Sequence, residues 1–230
     1  MEAPAFAATF NANEHSAATV RERLERADVF AVNIIGGNGS GKTTLIEATL
    51  NRLPHLRSAV IVSNLQPRRD ANRLSHYFDR IVQVATPSLG ATQVAAALAD
   101  MNLDELDVLF IESSSTTSLP VDLDLGQDVR VAVFSVSGGD DKAAQTPYLV
   151  RESDAVVLTK LDLLPYVPFE RNAFRDDVHR INPSAELMEV SALRAKQIER
   201  WVDWLESRRA QVRSRRNPTP TEPSSEWYFG

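Results

Sequence analysis

Short apolar runs rich in β-branched residues alternate along this chain with longer segments whose apolar positions recur at helical spacing. Val29–Ile35, VFAVNII, is a buried strand by this pattern, and it runs into the glycine-rich stretch GGNGSG. Runs of the same kind follow at Ala59–Ser63, Ile81–Val84, Asp107–Ile111, Val129–Val136 and Ala155–Thr159, with a short last one at Leu187–Val190. Between them the spacing predicts helices. His15–Asp28 carries Val20 and Leu24 at i, i+4. Lys42–Leu53 carries Leu45, Ile46, Thr49, Leu50 and Leu53, and Pro54 stops it. Further helical patterns fall near Asp70–Phe78, Thr92–Met101, Thr146–Arg151 and Phe169–Ile181. A last one, about Ala195–Val212, places Ile198, Trp201, Val202 and Leu205 on one stripe. Continuous apolar strands alternating with helices define an α/β fold, a single domain with a mostly parallel sheet and helices on both faces.

The pattern weakens at both ends. Residues 1–13 are Ala-rich and unpatterned and read as a flexible tail, which leaves 14–206 for the domain. Residues 207–230 are basic and then rich in Pro, Ser and Thr, and read as a disordered tail. Trp227, Tyr228 and Phe229 near its end are a candidate docking peptide.

Composition narrows the classes. The 230 residues contain no cysteine, which excludes disulfide scaffolds, thiolate nucleophiles and Cys-ligated metal clusters. A net charge of −6 gives no electrostatic footprint for nucleic acid or an anionic membrane. No apolar run approaches the roughly 18 residues of a membrane span, and MEAPAFAATFNANEH lacks the layout of a secretory signal. A cytoplasmic location is expected.

The chemistry starts at Gly36-Gly37-Asn38-Gly39-Ser40-Gly41-Lys42-Thr43, which fits G-x-x-x-x-G-K-[ST] between a strand and a helix. Small residues let the backbone of Gly37 to Gly41 wrap a phosphate, and the helix start at Thr43 and Thr44 adds positive partial charge. Lys42 reaches the β- and γ-phosphates, and the Thr43 hydroxyl suits a Mg²⁺ that bridges them. Glu112, directly after DVLFI, can hold a Mg²⁺-bound water or orient the attacking water. A polar run, Ser113 to Ser118, follows it. Thr159-Lys160-Leu161-Asp162 ends the AVVLT strand where many GTPases have N-K-x-D. There a carboxylate accepts two hydrogen bonds from guanine that adenine cannot offer, and the Lys160 stem lies along the base. Ser191 and Ala192, after the last strand, are placed to meet guanine O6. His15, His55, His76 and His179 are scattered and form no metal-ligand spacing, and DLDELD and DLDLGQD lack the ligand spacing of a calcium loop.

These segments together resemble the metallochaperone P-loop GTPases HypB, of hydrogenase nickel incorporation, and UreG, the urease accessory protein. The resemblance runs from about Asn13 to Leu205. It rests on VRERLERADVFAVNIIGGNGSGKTTLIEATL, VIVSNLQPRRDANRL, DVLFIE and LDLGQDVRVAVFSVSGGDDKAAQTPYLVRESDAVVLTKLDLLPYV. It implies a slow GTPase that uses Mg²⁺, forms a homodimer on binding GTP, and helps load nickel into a maturing metalloenzyme, with that client metalloenzyme or another accessory protein as its partner. It further implies that Lys142 reaches across the dimer to the partner's nucleotide, and that Asp70 lies in a switch segment near Mg²⁺. The family's metal-binding Cys-His pair falls on Pro87 and Ser88, neither a nickel ligand, so no transition-metal site of that kind is expected. Asn64 stands where the family has Asp, and the segment after Glu112 departs from the family and lacks its cysteine. Two other readings stay open at this stage: a nucleotide-dependent interaction module with little hydrolysis, and an ATP-dependent small-molecule kinase.

Overall fold

The structure is a computed structural model that describes residues 3–63, 81–84, 89–114, 124–192 and 197–218, with residues 3–10, 63 and 81–83 described by their backbone. The strands are β1 (Phe30–Gly36), β2 (Ser58–Ser63), β3 (Ile81–Val84), β4 (Val108–Ser114), β5 (Val129–Ser135), β6 (Ala155–Thr159) and β7 (Glu186–Glu189). The helices are α1 (Ala3–Arg26), α2 (Lys42–Arg52), α3 (Ala91–Ala99), α4 (Lys142–Gln145), α5 (Pro147–Arg151), α6 (Arg171–Ile181) and α7 (Ile198–Arg216). Among the described residues the strands form one seven-stranded sheet in the order β3-β2-β4-β1-β5-β6-β7, and every neighbouring pair is parallel. From β1 the chain runs out to β2 and β3, returns to insert β4 between β2 and β1, and then crosses to β5, β6 and β7 on the other side of β1. The C-terminal end of β1 is therefore the switch point where a crevice opens in sheets of this kind.

The apolar runs explain the layering. All positions of β1, β5 and β6 are buried, as strands covered on both faces must be. Alternate side chains then go to opposite faces. Phe30, Val32 and Ile34 join Leu45 and Ile46 of α2 and Trp201 and Leu205 of α7 on one face. Ala31 joins Val20 and Leu24 of α1 and Val94 and Leu98 of α3 on the other. Further along that second face, Ala132, Phe134, Val156 and Leu158 pack under Phe174 and Val178 of α6. The Trp201 indole N–H donates to the Thr49 hydroxyl at 2.7 Å, which fixes α7 against α2.

Both end helices run past the limits expected from the pattern. The helix α1 starts at Ala3, so the segment expected to be a flexible tail is helical from there, and the buried Asn13 donates to the Asp124 carbonyl and accepts from the Ala91 N–H. The helix α7 continues through the basic run to Arg216, where a disordered tail was expected from residue 207. The reason is counter-charge. Arg209, Arg213 and Arg216 fall at i, i+4 and i+7 on one face and meet Asp107, Asp28 and Asp128 at 3.8, 2.7 and 2.7 Å. Those aspartates precede β4, β1 and β5, at the end of the sheet opposite the glycine loop. Arg216 also donates to the Val29 carbonyl at 3.0 Å, and its side chain is 11% exposed. The aromatic cluster Trp227–Phe229 lies outside the described residues.

Candidate functional site

The glycine loop joins β1 to α2 at the C-terminal edge of the sheet. Gly36 is there because nothing larger fits: a Cβ on it would stand 2.3 Å from the Val133 carbonyl oxygen on β5. Gly41 takes a left-handed φ of 95° and serves as the N-cap of α2. Gly37, Asn38 and Gly39 are exposed, whereas Ser40 is buried and its hydroxyl has no hydrogen-bond partner among the described residues. A buried hydroxyl left without a partner is unusual in a native fold and fits a site shaped for a ligand. Lys42 is buried, and its ammonium donates to the Gly36 and Gly37 carbonyls at 3.0 and 3.1 Å, which holds a positive charge inside the loop. Thr44, half-buried, completes the start of α2, whose positive dipole end faces the same space.

Glu112 sits on β4, beside β1. The Thr43 hydroxyl lies 2.9 Å from each of its carboxylate oxygens. These three oxygen atoms are a hard donor set of the kind Mg²⁺ prefers, so the residues present fit that ion. On the opposite face of the same strand, Ser113 donates to the buried Asn33 side chain at 2.8 Å. That pair steadies the strand end behind Glu112. A buried Asn inside VFAVNII is the one sequence signal that points to it.

At the other end of the crevice, β6 ends at Thr159, which is buried and donates to the Ser40 carbonyl at 2.6 Å. Its side chain packs so closely under the loop that a Cβ on Gly41 would meet Thr159 Oγ1 at 3.0 Å. Lys160 adopts a left-handed φ of 60°, uncommon for a residue with a side chain. That turn leads into a 3₁₀ segment, Leu161–Tyr166, which carries Asp162. Ser191 is buried after β7 and donates its hydroxyl to Asp162, with Ala192 beside it. Two segments 29 positions apart are thus joined through one hydroxyl and one carboxylate. A carboxylate can accept hydrogen bonds from a group that offers two donors.

The structure therefore brings Gly37 to Thr44, Glu112, Thr159, Lys160, Asp162, Ser191 and Ala192 to one edge of the sheet. Lys142 stands apart at the start of α4, exposed, donating to Gln145 at 3.1 Å. Asp70, Asn64, Pro87 and Ser88 lie outside the described residues. Among the described residues no group of three or more His, Cys, Asp or Glu side chains is arranged to hold a metal ion, and no helix is long and apolar enough to cross a membrane. A separate cavity of about 680 Å³ opens along the edge strand β7, lined by Arg171, Arg175, His179 and Arg200 among others, and shares no lining residue with the glycine loop.

A parallel α/β sheet with this loop at its switch point defines a P-loop nucleotide-binding protein. The chain belongs to the CobW/HypB/UreG family, whose nucleotide-binding domain matches residues 12–189. It is 33% identical over 201 residues to the hydrogenase maturation factor HypB of Escherichia coli, covering 86% of this chain and 69% of that one. It is 32% identical over 206 residues to the probable HypB of Methanocaldococcus jannaschii, covering 88% and 93%. Among solved structures, HypB of Archaeoglobus fulgidus matches with a TM-score of 0.79 at 30% identity, covering 86% of this chain and 98% of that one. HypB of Helicobacter pylori, solved in complex with nickel, matches with a TM-score of 0.79 at 27% identity, covering 86% and 95%.

Proposed function

We propose that this chain binds GTP, hydrolyses it slowly, and acts in the maturation of a nickel metalloenzyme of the hydrogenase type by pairing into a homodimer when GTP is bound. The observation that carries this reading is a single crevice with a hydroxyl–carboxylate pair, Thr43–Glu112, at one end and a carboxylate wall, Asp162–Ser191, at the other. The Thr159–Ser40 hydrogen bond joins the two. The relatives supply the biological setting: three carry the name hydrogenase maturation factor, one of them as probable, and the Helicobacter pylori protein was solved in complex with nickel.

In this reading Gly37, Asn38, Gly39, Ser40 and Gly41 present backbone N–H groups to the phosphates, and Lys42 leaves its loop carbonyls to pair with the β- and γ-phosphate oxygens. Thr43 and Glu112 hold Mg²⁺, with Asp70 a further candidate. The ion, when bound, neutralises charge on the transferring phosphoryl group. Glu112 also orients the attacking water. Asp162 accepts from the guanine N1–H and exocyclic amine, Lys160 lies along the base, and Ser191 and Ala192 border its O6 edge. Lys142 serves the nucleotide of the second copy. The client enzyme and other accessory proteins act on the nucleotide-bound dimer.

Direct nickel carriage of the family's usual kind is not part of this reading. The chain contains no cysteine, and a site of imidazoles and carboxylates alone lacks the soft ligand. Equilibrium dialysis of the GTP-bound protein against nickel tests this, and tight stoichiometric binding would overturn it. The guanine assignment is tested by competition. ATP should fail to displace labelled GTP at equal concentration, and Asp162→Asn should weaken GTP binding by at least about a hundredfold. Equal displacement by ATP would favour the kinase reading instead.

A further inference from the structure

The loop that carries Lys142 is tied to the base-reading end of the crevice by a short chain of hydrogen bonds. Lys160 donates its ammonium to the Ser137 hydroxyl at 3.3 Å. Ser137 shares a hydrogen bond of 3.1 Å with Ser135, which is buried at the end of β5. Beyond Ser137 come Gly138 and Gly139, the latter at a φ of 98°, and then Asp140, whose carboxylate accepts from the Glu170 N–H at 2.9 Å. Lys142 follows two residues on as the first residue of α4, and Asp141, between them, accepts from Gln145 at 2.7 Å. The loop is thus pinned at Ser137 and at Asp140, and a glycine pair lies between the pins.

We propose that Ser137 is a positioning residue that couples guanine occupancy to the placement of Lys142, and so to the pairing of two copies of this chain. The inference rests on the reading above in which Lys160 serves the base and Lys142 serves the partner's nucleotide. Ser137 Oγ accepts from the Lys160 ammonium, which can only donate, and shares a hydrogen bond with the Ser135 hydroxyl, so the ammonium helps to hold the Ser137 side chain in place. When the Lys160 stem lies along a bound base, its ammonium no longer keeps the same place over Ser137. The hydroxyl then turns wholly to Ser135 or follows the ammonium. Either change acts on the residue immediately before the glycine pair, where the backbone turns most readily. The Asp140–Glu170 hydrogen bond, which lies between the glycine pair and Lys142, serves as the pivot about which a turn at the glycines swings the Lys142 end of the loop. Ser137 is exposed and stands outside the buried core, so its replacement removes the link and leaves the fold intact.

The test compares wild type, Ser137→Ala and Ser137→Thr for GTP affinity by titration calorimetry and for monomer–dimer equilibrium by analytical ultracentrifugation, with and without GTP. In Ser137→Ala, GTP affinity should stay within about threefold of wild type, while the GTP-dependent tightening of the dimer should shrink by at least about tenfold. Ser137→Thr, which keeps the hydroxyl, should restore the tightening. If Ser137→Ala dimerises with GTP as well as wild type does, the coupling is overturned. It is equally overturned if GTP affinity falls in step with dimerisation, because Ser137 is then part of the base site and no link. A wild type that stays monomeric with GTP overturns the dimer reading itself, a result distinct from both.

Discussion

Thr159 donates its hydroxyl to the carbonyl of Ser40 at 2.6 Å, so the strand end that leads to Asp162 is bonded to the glycine loop 119 positions earlier. Thr159 stands where many GTPases have Asn, and a shorter side chain makes this bond because Gly41 leaves room directly above it. Thr159→Val keeps the shape and removes the donor. It leaves the buried Ser40 carbonyl without this partner, and urea unfolding should show a loss of about 1–3 kcal/mol. GTP affinity should fall as well, because both ends of the crevice lose their common reference. Unchanged stability and affinity would show that the bond does not align the site.

The Thr43–Glu112 contact makes a separable prediction. Glu112→Gln keeps the size of the side chain and removes its charge, so GTP should still bind while turnover falls by about 10²-fold or more. Thr43→Ala should raise the Mg²⁺ concentration needed for GTP binding, and Thr43→Ser should restore it. Single-turnover phosphate release and Mg²⁺ titrations check both. A Glu112→Gln enzyme with wild-type turnover would place the water-orienting group elsewhere.

Two adjacent glycines should respond differently to the same change. Gly36→Ala drives a Cβ against the Val133 carbonyl at 2.3 Å, whereas a Cβ on Gly37 meets nothing within 4 Å. Overpacking against backbone costs about 1–3 kcal/mol, a fall in Tm of roughly 2–12 °C for a chain of this size. Gly37→Ala should leave Tm within about 2 °C of wild type. Calorimetric scans of the two variants without nucleotide decide the matter, and equal Tm values would count against the close approach of β1 and β5.

Acid sensitivity should follow Asp107. The Arg57 guanidinium donates to both of its oxygens at 3.0 Å and holds the carboxyl down at about 2, with Arg209 adding a smaller attraction. A folded-state value below that of the unfolded chain contributes stability that is present above the ordinary Asp range and is lost as pH falls towards 2. Arg57→Ala should therefore destabilise the protein near neutral pH, and the gap from wild type should narrow steadily below about pH 4. Asp128 works in the opposite direction. Burial raises its carboxyl above the usual value against the pull of the Ala31 N–H and Arg216, so its protonation favours the folded state as pH falls. Unfolding curves at about pH 6 and about pH 3 measure the difference, and a gap that does not change with pH would show that Arg57 acts through packing alone.

The features legible along the chain alone are local and periodic. The apolar runs at β1, β5 and β6 announce strands buried on both faces, because side chains there alternate between two covered layers. The string from Gly36 to Thr43 announces its own backbone geometry, because glycine spacing and the following helix are consecutive in the chain. Features that depend on partners distant in sequence came only from the packed fold. Arg209, Arg213 and Arg216 look like a solvated run until Asp107, Asp28 and Asp128 are gathered at the far end of the sheet, 185 positions away for Arg213 and 88 for Arg216. Residues 3–13 carry no clear period, yet the helix begins at Ala3, and the buried Asn13 finds its partners at Asp124 and Ala91. The bond from Thr159 to the Ser40 carbonyl, and Ser137 as a partner of Lys160, become legible only when β6 is packed beside β5 and under the glycine loop. A hydrogen bond between distant segments has no periodic trace, since its cause is the sheet order and not the spacing of residues along the chain.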